Sequence, residues 1–175
     1  MQMKLLHRSL LAAVALFVAS PLYALDDQRH GFFFSLGAGY STSDYIDDSF
    51  ASASRQGLGT SFKIGGGIDN RTVGYYVRHV AWSSILENSL GFSGAGVAHY
   101  FSPSAKSAYI NAAVGFGDSL DTDRLDDMGG GFMLGAGYQF SERMSWEANY
   151  FSFSDDYVAD GDVTAFQLLF QMHWF

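Results

Sequence analysis

The strongest constraint on this chain is the alternation in its last ten residues, Phe166-Gln-Leu-Leu-Phe-Gln-Met-His-Trp-Phe175. Phe166, Leu168, Phe170, Met172 and Trp174 share one face of an extended segment, while Gln167, Leu169, Gln171 and His173 share the other. Period-two alternation over this length signals a β-strand with one greasy and one mostly polar face. A strand of that kind, ending at an aromatic residue, suits the closing strand of a transmembrane β-barrel.

Seven further alternating segments precede it, separated by turn-type sequence. They run over Gly31–Ser41, Leu58–Ile68, Val73 to about Ser83, Phe92–Ser102, Ala108–Gly117, Gly130–Phe140 and Ser145 to about Phe153. Each is near the 9–11 residues a tilted membrane strand needs. The first sets Phe32, Phe34, Leu36, Ala38 and Tyr40 against Ser35, Gly37 and Gly39; the sixth sets Phe132, Leu134, Ala136, Tyr138 and Phe140 against Gly131, Met133, Gly135, Gly137 and Gln139. The third sets Val73, Tyr75 and Val77 against Gly74, Tyr76 and Arg78, and the fourth has no phase that can be read. A glycine-rich face fits the narrow interior of eight strands, whose side chains fill it. The bulky apolar face must then point outward, which only lipid accepts. A soluble periplasmic barrel is the competing arrangement.

The N-terminus supplies context. Lys4 and Arg8 precede the apolar run Leu10–Val18, and Leu22-Tyr-Ala24 ends in a small residue. This is the layout of a secretory signal peptide cleaved after Ala24, leaving one barrel domain over 25–175. Without the two leader bases the formal charge is 8 − 18 = −10. There is no cysteine, which excludes disulfides, thiolate metal sites and lipid attachment.

With both termini periplasmic, the links 69–72, 103–107 and 141–144 read as short periplasmic turns. The longer links 42–57, 84–91, 118–129 and 154–163 read as outer loops. Aromatics expected at the membrane interfaces are Tyr100, Phe101, Tyr109, Tyr138, Phe140, Trp146 and Trp174 on the periplasmic side, with Tyr40, Trp82, Phe92 and Phe116 on the outer side.

The chain resembles the small eight-stranded outer-membrane barrels, such as the OmpA transmembrane domain and the OmpX/Ail group. The carriers are the signal peptide, the eight segments, Gly-aromatic patterns such as Leu134-Gly-Ala-Gly-Tyr138, and terminal Phe175. The resemblance implies outer-membrane lipids and lipopolysaccharide as surroundings, and assembly by the barrel assembly machinery through the C-terminal signal Phe166, Leu168, Phe170, Met172, Trp174 and Phe175. In that family the alternating hydrophobics are in phase with the final Phe; here they are in phase with Trp174. No periplasmic domain is expected after Phe175.

Candidate chemistry is sparse. Lys63, Arg78 and Glu147 are expected mid-strand on the interior face. A symmetric turn at 69–72 would set Lys63 across from Arg78, with Glu147 the acid that neutralises both. The resemblance implies an ionic network plugging the barrel, with an ion path as the alternative. The outer loops hold 13 of the 18 acids against the two bases Arg55 and Arg124. That excess argues against nucleic acid, heparin and other polyanion partners. A solvated surface or contact with a host ligand is the expected use. Calcium or magnesium shared with lipopolysaccharide phosphates is the sharper one, at Asp121, Asp123, Asp126, Asp127, Asp155 and Asp156. A lipid A-modifying hydrolase would need Ser and His in contact with an orienting acid. The local candidates are His99 with Ser102, and His79, placed on the lipid face, with Ser83 and Ser84. No catalytic residue is assigned. The expectation is a structural or surface-interacting barrel, with a narrow low-conductance channel as the alternative.

Overall fold

A computed structural model describes residues 29–46, 52–83, 88–119, 129–155 and 161–175. Eight antiparallel strands follow in chain order: β1 (Gly31–Ile46), β2 (Ser52–Gly67), β3 (Thr72–Ser83), β4 (Asn88–Tyr100), β5 (Ser107–Ser119), β6 (Gly129–Gln139), β7 (Met144–Asp155) and β8 (Gly161–Trp174). Each pairs with its sequence neighbours, and β8 pairs with β1, so the barrel is closed and no edge is left unpaired. The expected signal peptide lies outside the described residues.

Direct partners trace a rising path round the wall. Thr72 pairs with His99, then Ile110, Ala136, Ala148, Leu168, Tyr40 and Leu58 follow, and the path re-enters β3 at Trp82. The stagger is therefore 82 − 72 = 10 residues. With strand spacing near 4.8 Å and a rise near 3.3 Å, that shear tilts the strands about 40° from the axis. With only eight strands the barrel is narrow, and inward side chains meet across it.

Three turns, 68–71, 101–106 and 140–143, lie at the same end as both described termini; we call this the turn end and its opposite the far rim. The strands run past their expected limits at the far rim, leaving only 47–51, 84–87, 120–128 and 156–160 between them. Asp44, Asp118, Asp155 and Asp162, expected in loops, stand on strands.

The β2–β3 turn alters the anticipated register. The Ile68 and Asp69 amides both donate to the Thr72 carbonyl, at 2.8 and 3.3 Å. Asp69 Oδ1 accepts from the Arg71 and Thr72 amides at 2.7 and 2.8 Å, an Asx turn. Gly67 then pairs with Val73 and Lys63 with Val77, one residue away from the symmetric expectation. A one-residue slip exchanges the two faces of a strand. Val73, Tyr75, Val77 and His79 therefore face inward, and Arg78 faces outward. In β4 the inward row is Phe92, Gly94, Gly96, Ala98 and Tyr100.

Candidate functional site

The lumen collects the chemistry, and it has two unlike halves. Toward the turn end the centre is an ion pair: Lys63 Nζ lies 2.6 Å from each oxygen of Glu147. β2 and β7, three strands apart round the wall, deliver them, and the residues are 2% and 1% exposed. Burying a charge is costly unless it is paired and hydrogen-bonded. Here Tyr109 Oη donates to Glu147 Oε2 at 2.7 Å, Asn149 Nδ2 to Oε1 at 2.7 Å, and Gln171 Nε2 to Oε1 at 3.2 Å. Ser35 and Ser61 complete the shell of Gln171 at 3.0 and 3.1 Å. The Lys63 ammonium also lies 5.1 Å from the centre of the Tyr75 ring.

Proton bookkeeping gives this cluster a direction. Tyr109 has one hydroxyl proton, and it goes to Glu147. The 3.0 Å contact between Tyr109 and Ser145 therefore uses the Ser145 proton. The 2.7 Å contact between Ser145 Oγ and His173 Nε2 then needs a proton on His173. Donors run from His173 through Ser145 and Tyr109 to Glu147. In that arrangement His173 is a donor to Ser145, the opposite of the role a base has toward a serine nucleophile.

The far half of the lumen is apolar. Phe92, Met133, Phe151, Phe153, Val163 and Ala165 pack there, with the Phe92 and Phe151 rings 5.9 Å apart. Ser41 and Ser43 are buried there as well, with one bonded polar pair: His79 Nδ1 meets Gln167 Oε1 at 2.7 Å, and Gln167 Nε2 donates to the Val80 carbonyl at 2.9 Å. His79 is fully buried in the lumen, which corrects its expected lipid-facing position. Ser83 closes β3, its side chain not described, and Ser84 lies outside the described residues. His99 faces outward and contacts Thr72 Oγ1 at 3.2 Å, while Ser102 sits in a turn bonded to Ser104 and Ser107. His99 and Ser102 are therefore not paired, and the His79 pairing falls on side chains outside the described ones.

Arg78 is the main correction. It does not join Lys63 and Glu147; it lies on the outer wall, where Nη1 and Nη2 contact the two Asp118 oxygens at 2.7 and 2.8 Å. Ser93 accepts a further bond at 2.7 Å. Asp118 is the penultimate residue of β5, so the long Arg78 side chain carries its charge toward the far rim. Gly91 leaves the room, since a Cβ there would meet both charged groups.

Outward rows elsewhere match the expected apolar face. Phe166, Leu168 and Met172 point out, and Trp174 pairs with Phe34 on that face. Tyr40, Phe116, Tyr138 and Trp146 are exposed, whereas Trp82 and Phe140 are half-buried. Trp82 donates to Thr60 at 2.9 Å, and the Phe140 ring lies 6.2 Å from Phe170. Phe92, Tyr100 and Tyr109, expected at the interfaces, face the lumen instead. Phe175 also leaves the outer row: its ring packs 5.1 Å from Phe33 and 6.2 Å from His173. Asp121, Asp123, Asp126, Asp127 and Asp156 lie outside the described residues, as does the side chain of Asp155. No acid or histidine cluster suited to a metal occurs among the described residues.

Sequence reasoning missed Arg29, just ahead of β1. It is fully buried at the turn end, with Nη1 donating to the Ser102 carbonyl at 3.0 Å. Nη2 donates to the Ser104 carbonyl at 2.7 Å and to Gln139 Oε1 at 3.2 Å. The guanidinium carbon lies 3.7 Å from the centre of the Tyr100 ring. A single base outside any alternating segment gave no periodic signal.

No family model matches the sequence, and no curated protein sequence does. Solved structures share the fold. Ail, the attachment invasion locus protein of Yersinia pestis, matches with a TM-score of 0.55 at 13% identity, over 81% of this chain and 98% of that one. Neisserial surface protein A gives 0.53 at 14% identity, over 82% and 97%. The outer membrane protein OprG of Pseudomonas aeruginosa gives 0.50 at 14% identity, over 85% and 98%. The architecture is that of the small eight-stranded outer-membrane barrels.

Proposed function

We propose that this chain is an integral outer-membrane barrel with a structural or surface-interacting role, carried by the acidic segments at its far rim. The observation that supports this most is the inside-out distribution of side chains. Phe32, Leu58, Val114, Phe116, Leu134 and Trp146 are each more than half-exposed on the outer wall, while Lys63, Glu147, Gln167 and Gln171 are buried in the lumen. An apolar belt round a closed barrel is far larger than a soluble monomer exposes, and lipid is its natural solvent. In this orientation the turn end faces the periplasm, and the outward row ending at Trp174 is offered to the barrel assembly machinery.

Transport and catalysis fit less well. Both halves of the lumen are filled with side chains, and the buried serine–histidine contact has its proton on the wrong partner for hydrolysis. The related fold of Ail has been crystallised with the heparin analogue sucrose octasulfate. The far-rim segments here carry 13 acids and two bases, so they would repel such a polyanion. A cationic surface ligand suits them, as does lipopolysaccharide bridged by divalent ions.

The test is solvent choice. The barrel should refold in detergent or short-chain lipid and migrate differently on gels with and without heating. Recovery as a stable soluble monomer without detergent would overturn the membrane assignment.

A further inference from the structure

We propose that Arg29 is a stopper that closes the turn end of the lumen, and that its release opens the polar half to solvent from that side only. The receptor for its guanidinium is built from separate strands and turns: the Tyr100 face, the Ser102 and Ser104 carbonyls and the Gln139 amide. Gln139 is itself held by donating to the Glu142 carbonyl at 2.9 Å. Arg29 therefore ties the β4–β5 turn to the end of β6 across the mouth.

The joint behind it is suited to movement. Gly31 has a φ of +94°, a left-handed conformation that favours glycine, and no atom crowds its Cβ position. His30, between stopper and joint, is exposed. The Arg29 carbonyl lies against Gly67, where a Cβ would collide with it. The segment thus crosses the mouth along a track cleared by one glycine and pivots at another. Removing three hydrogen bonds and a cation–π contact at this joint requires no strand to unpair.

Beneath the stopper lies the bonded polar cluster. Tyr100 packs at a tilt against Tyr109 with ring centroids 4.8 Å apart, and Tyr109 leads to Ser145, His173 and Glu147. Above them, Phe92, Phe151 and Met133 block the way to the far rim. An open mouth would give a dead-end polar chamber, not a conduit.

Peptide-resolved modification of histidines by diethyl pyrocarbonate, on the folded full barrel in detergent, tests this. His30 is an exposed control, and His79, embedded in the aromatic half beside Phe151, is a buried one. Arg29→Ala should raise the His173 rate about tenfold or more, as expected for loss of a local closing contact. It should leave His79 unreactive and bilayer conductance unchanged. Arg29→Lys keeps the charge over Tyr100 and should fall between. Should Arg29→Ala fail to fold, Gln139→Leu removes one anchor and should give a smaller rise at His173 alone. An unchanged His173 rate in the folded variants would overturn the stopper. Reactivity rising at both His173 and His79 would overturn its one-sidedness.

Discussion

The two halves of the lumen solve the same packing problem with opposite chemistry. Near the turn end, Lys63, Glu147, Tyr109, Asn149 and Gln171 fill the space with a bonded polar cluster. Near the far rim, Phe92, Phe151, Phe153 and Met133 fill it with rings and a thioether. The polar half fixes geometry through bonds whose loss leaves an uncompensated charge. The apolar half depends on volume, where loss leaves a cavity. A narrow barrel can therefore be closed twice, by barriers that fail for different reasons.

The largest effect that would break this comparison is at Glu147. Glu147→Ala strands the Lys63 ammonium and should cost about 3–5 kcal/mol in reversible unfolding from lipid or detergent, the range for breaking a buried pair. Glu147→Leu combined with Lys63→Met should recover most of it, because replacing a whole pair with apolar groups is often neutral. Equal destabilisation in the single and double variants would show that the pair is not what holds this half. Conductance should remain negligible in the single variant, since the aromatic half still closes the lumen.

Glycines sharpen the contrast at smaller magnitude. Gly137 lies under the Tyr109 ring and Gly117 under the Phe153 ring, so a methyl at either meets an aromatic. Overpacking of this kind costs about 1–3 kcal/mol. Tyr109 cannot yield without losing its bonds to Glu147 and Ser145, whereas Phe153, near the end of β7, has only packing to adjust. Gly137→Ala should therefore destabilise more than Gly117→Ala. The reverse order by urea-unfolding midpoints would mean that the aromatic half is the more rigid.

The same contrast explains what was legible in the sequence. Lipid demands a bulky outer face, and six strands pair that face with small or polar inner residues, so their phase can be read. β3 breaks the pattern because its inner row, Val73, Tyr75 and Val77, is as apolar as any outer row. Its outer row contains Gly74 and Arg78, which look like interior residues. β4 has small residues on both faces, so nothing sets its phase. Lys63 and Glu147 were legible as lone charges on glycine-rich faces. Arg78 was misplaced because the Asx turn at Asp69 moves the register by one. Its Asp118 partner lies two strands away and carried no local cue.

A second comparison is between the rims, and a divalent ion probes the far one. Its acids outnumber its bases, and like charges within about 8 Å still repel at physiological salt. Calcium or magnesium at Asp121, Asp123, Asp126, Asp127, Asp155 and Asp156 would relieve this with hard oxygen ligands. At ten times its Kd the ion should add about 1.4 kcal/mol of stability and slow amide exchange over 118–129. Equal protection from sodium at matched ionic strength would leave screening as the whole effect.

The turn end has no such excess of acid, and its Asp69 carboxylate is held by backbone donors; the effect there is the smallest. Asp69 accepts the Arg71 and Thr72 backbone N–H groups, which holds its pKa below the ordinary 3.8. A depressed folded-state pKa contributes stability above the unfolded-state value and loses it as pH falls through the folded-state value. The contribution should be complete near neutral pH and disappear between 3.8 and the lower folded-state value. Asp69→Asn keeps an acceptor oxygen but cannot titrate there. The stability difference between the unmodified chain and Asp69→Asn should therefore be constant above pH 5 and shrink steadily below 3.8. The comparison removes the common titration of Glu142 and the far-rim acids, which both chains share. Far-rim acids repel one another, so their protonation should relieve strain while that of Asp69 removes support. A difference that stays flat through the acid range would mean that the Asp69 charge adds nothing beyond the turn's own backbone bonds.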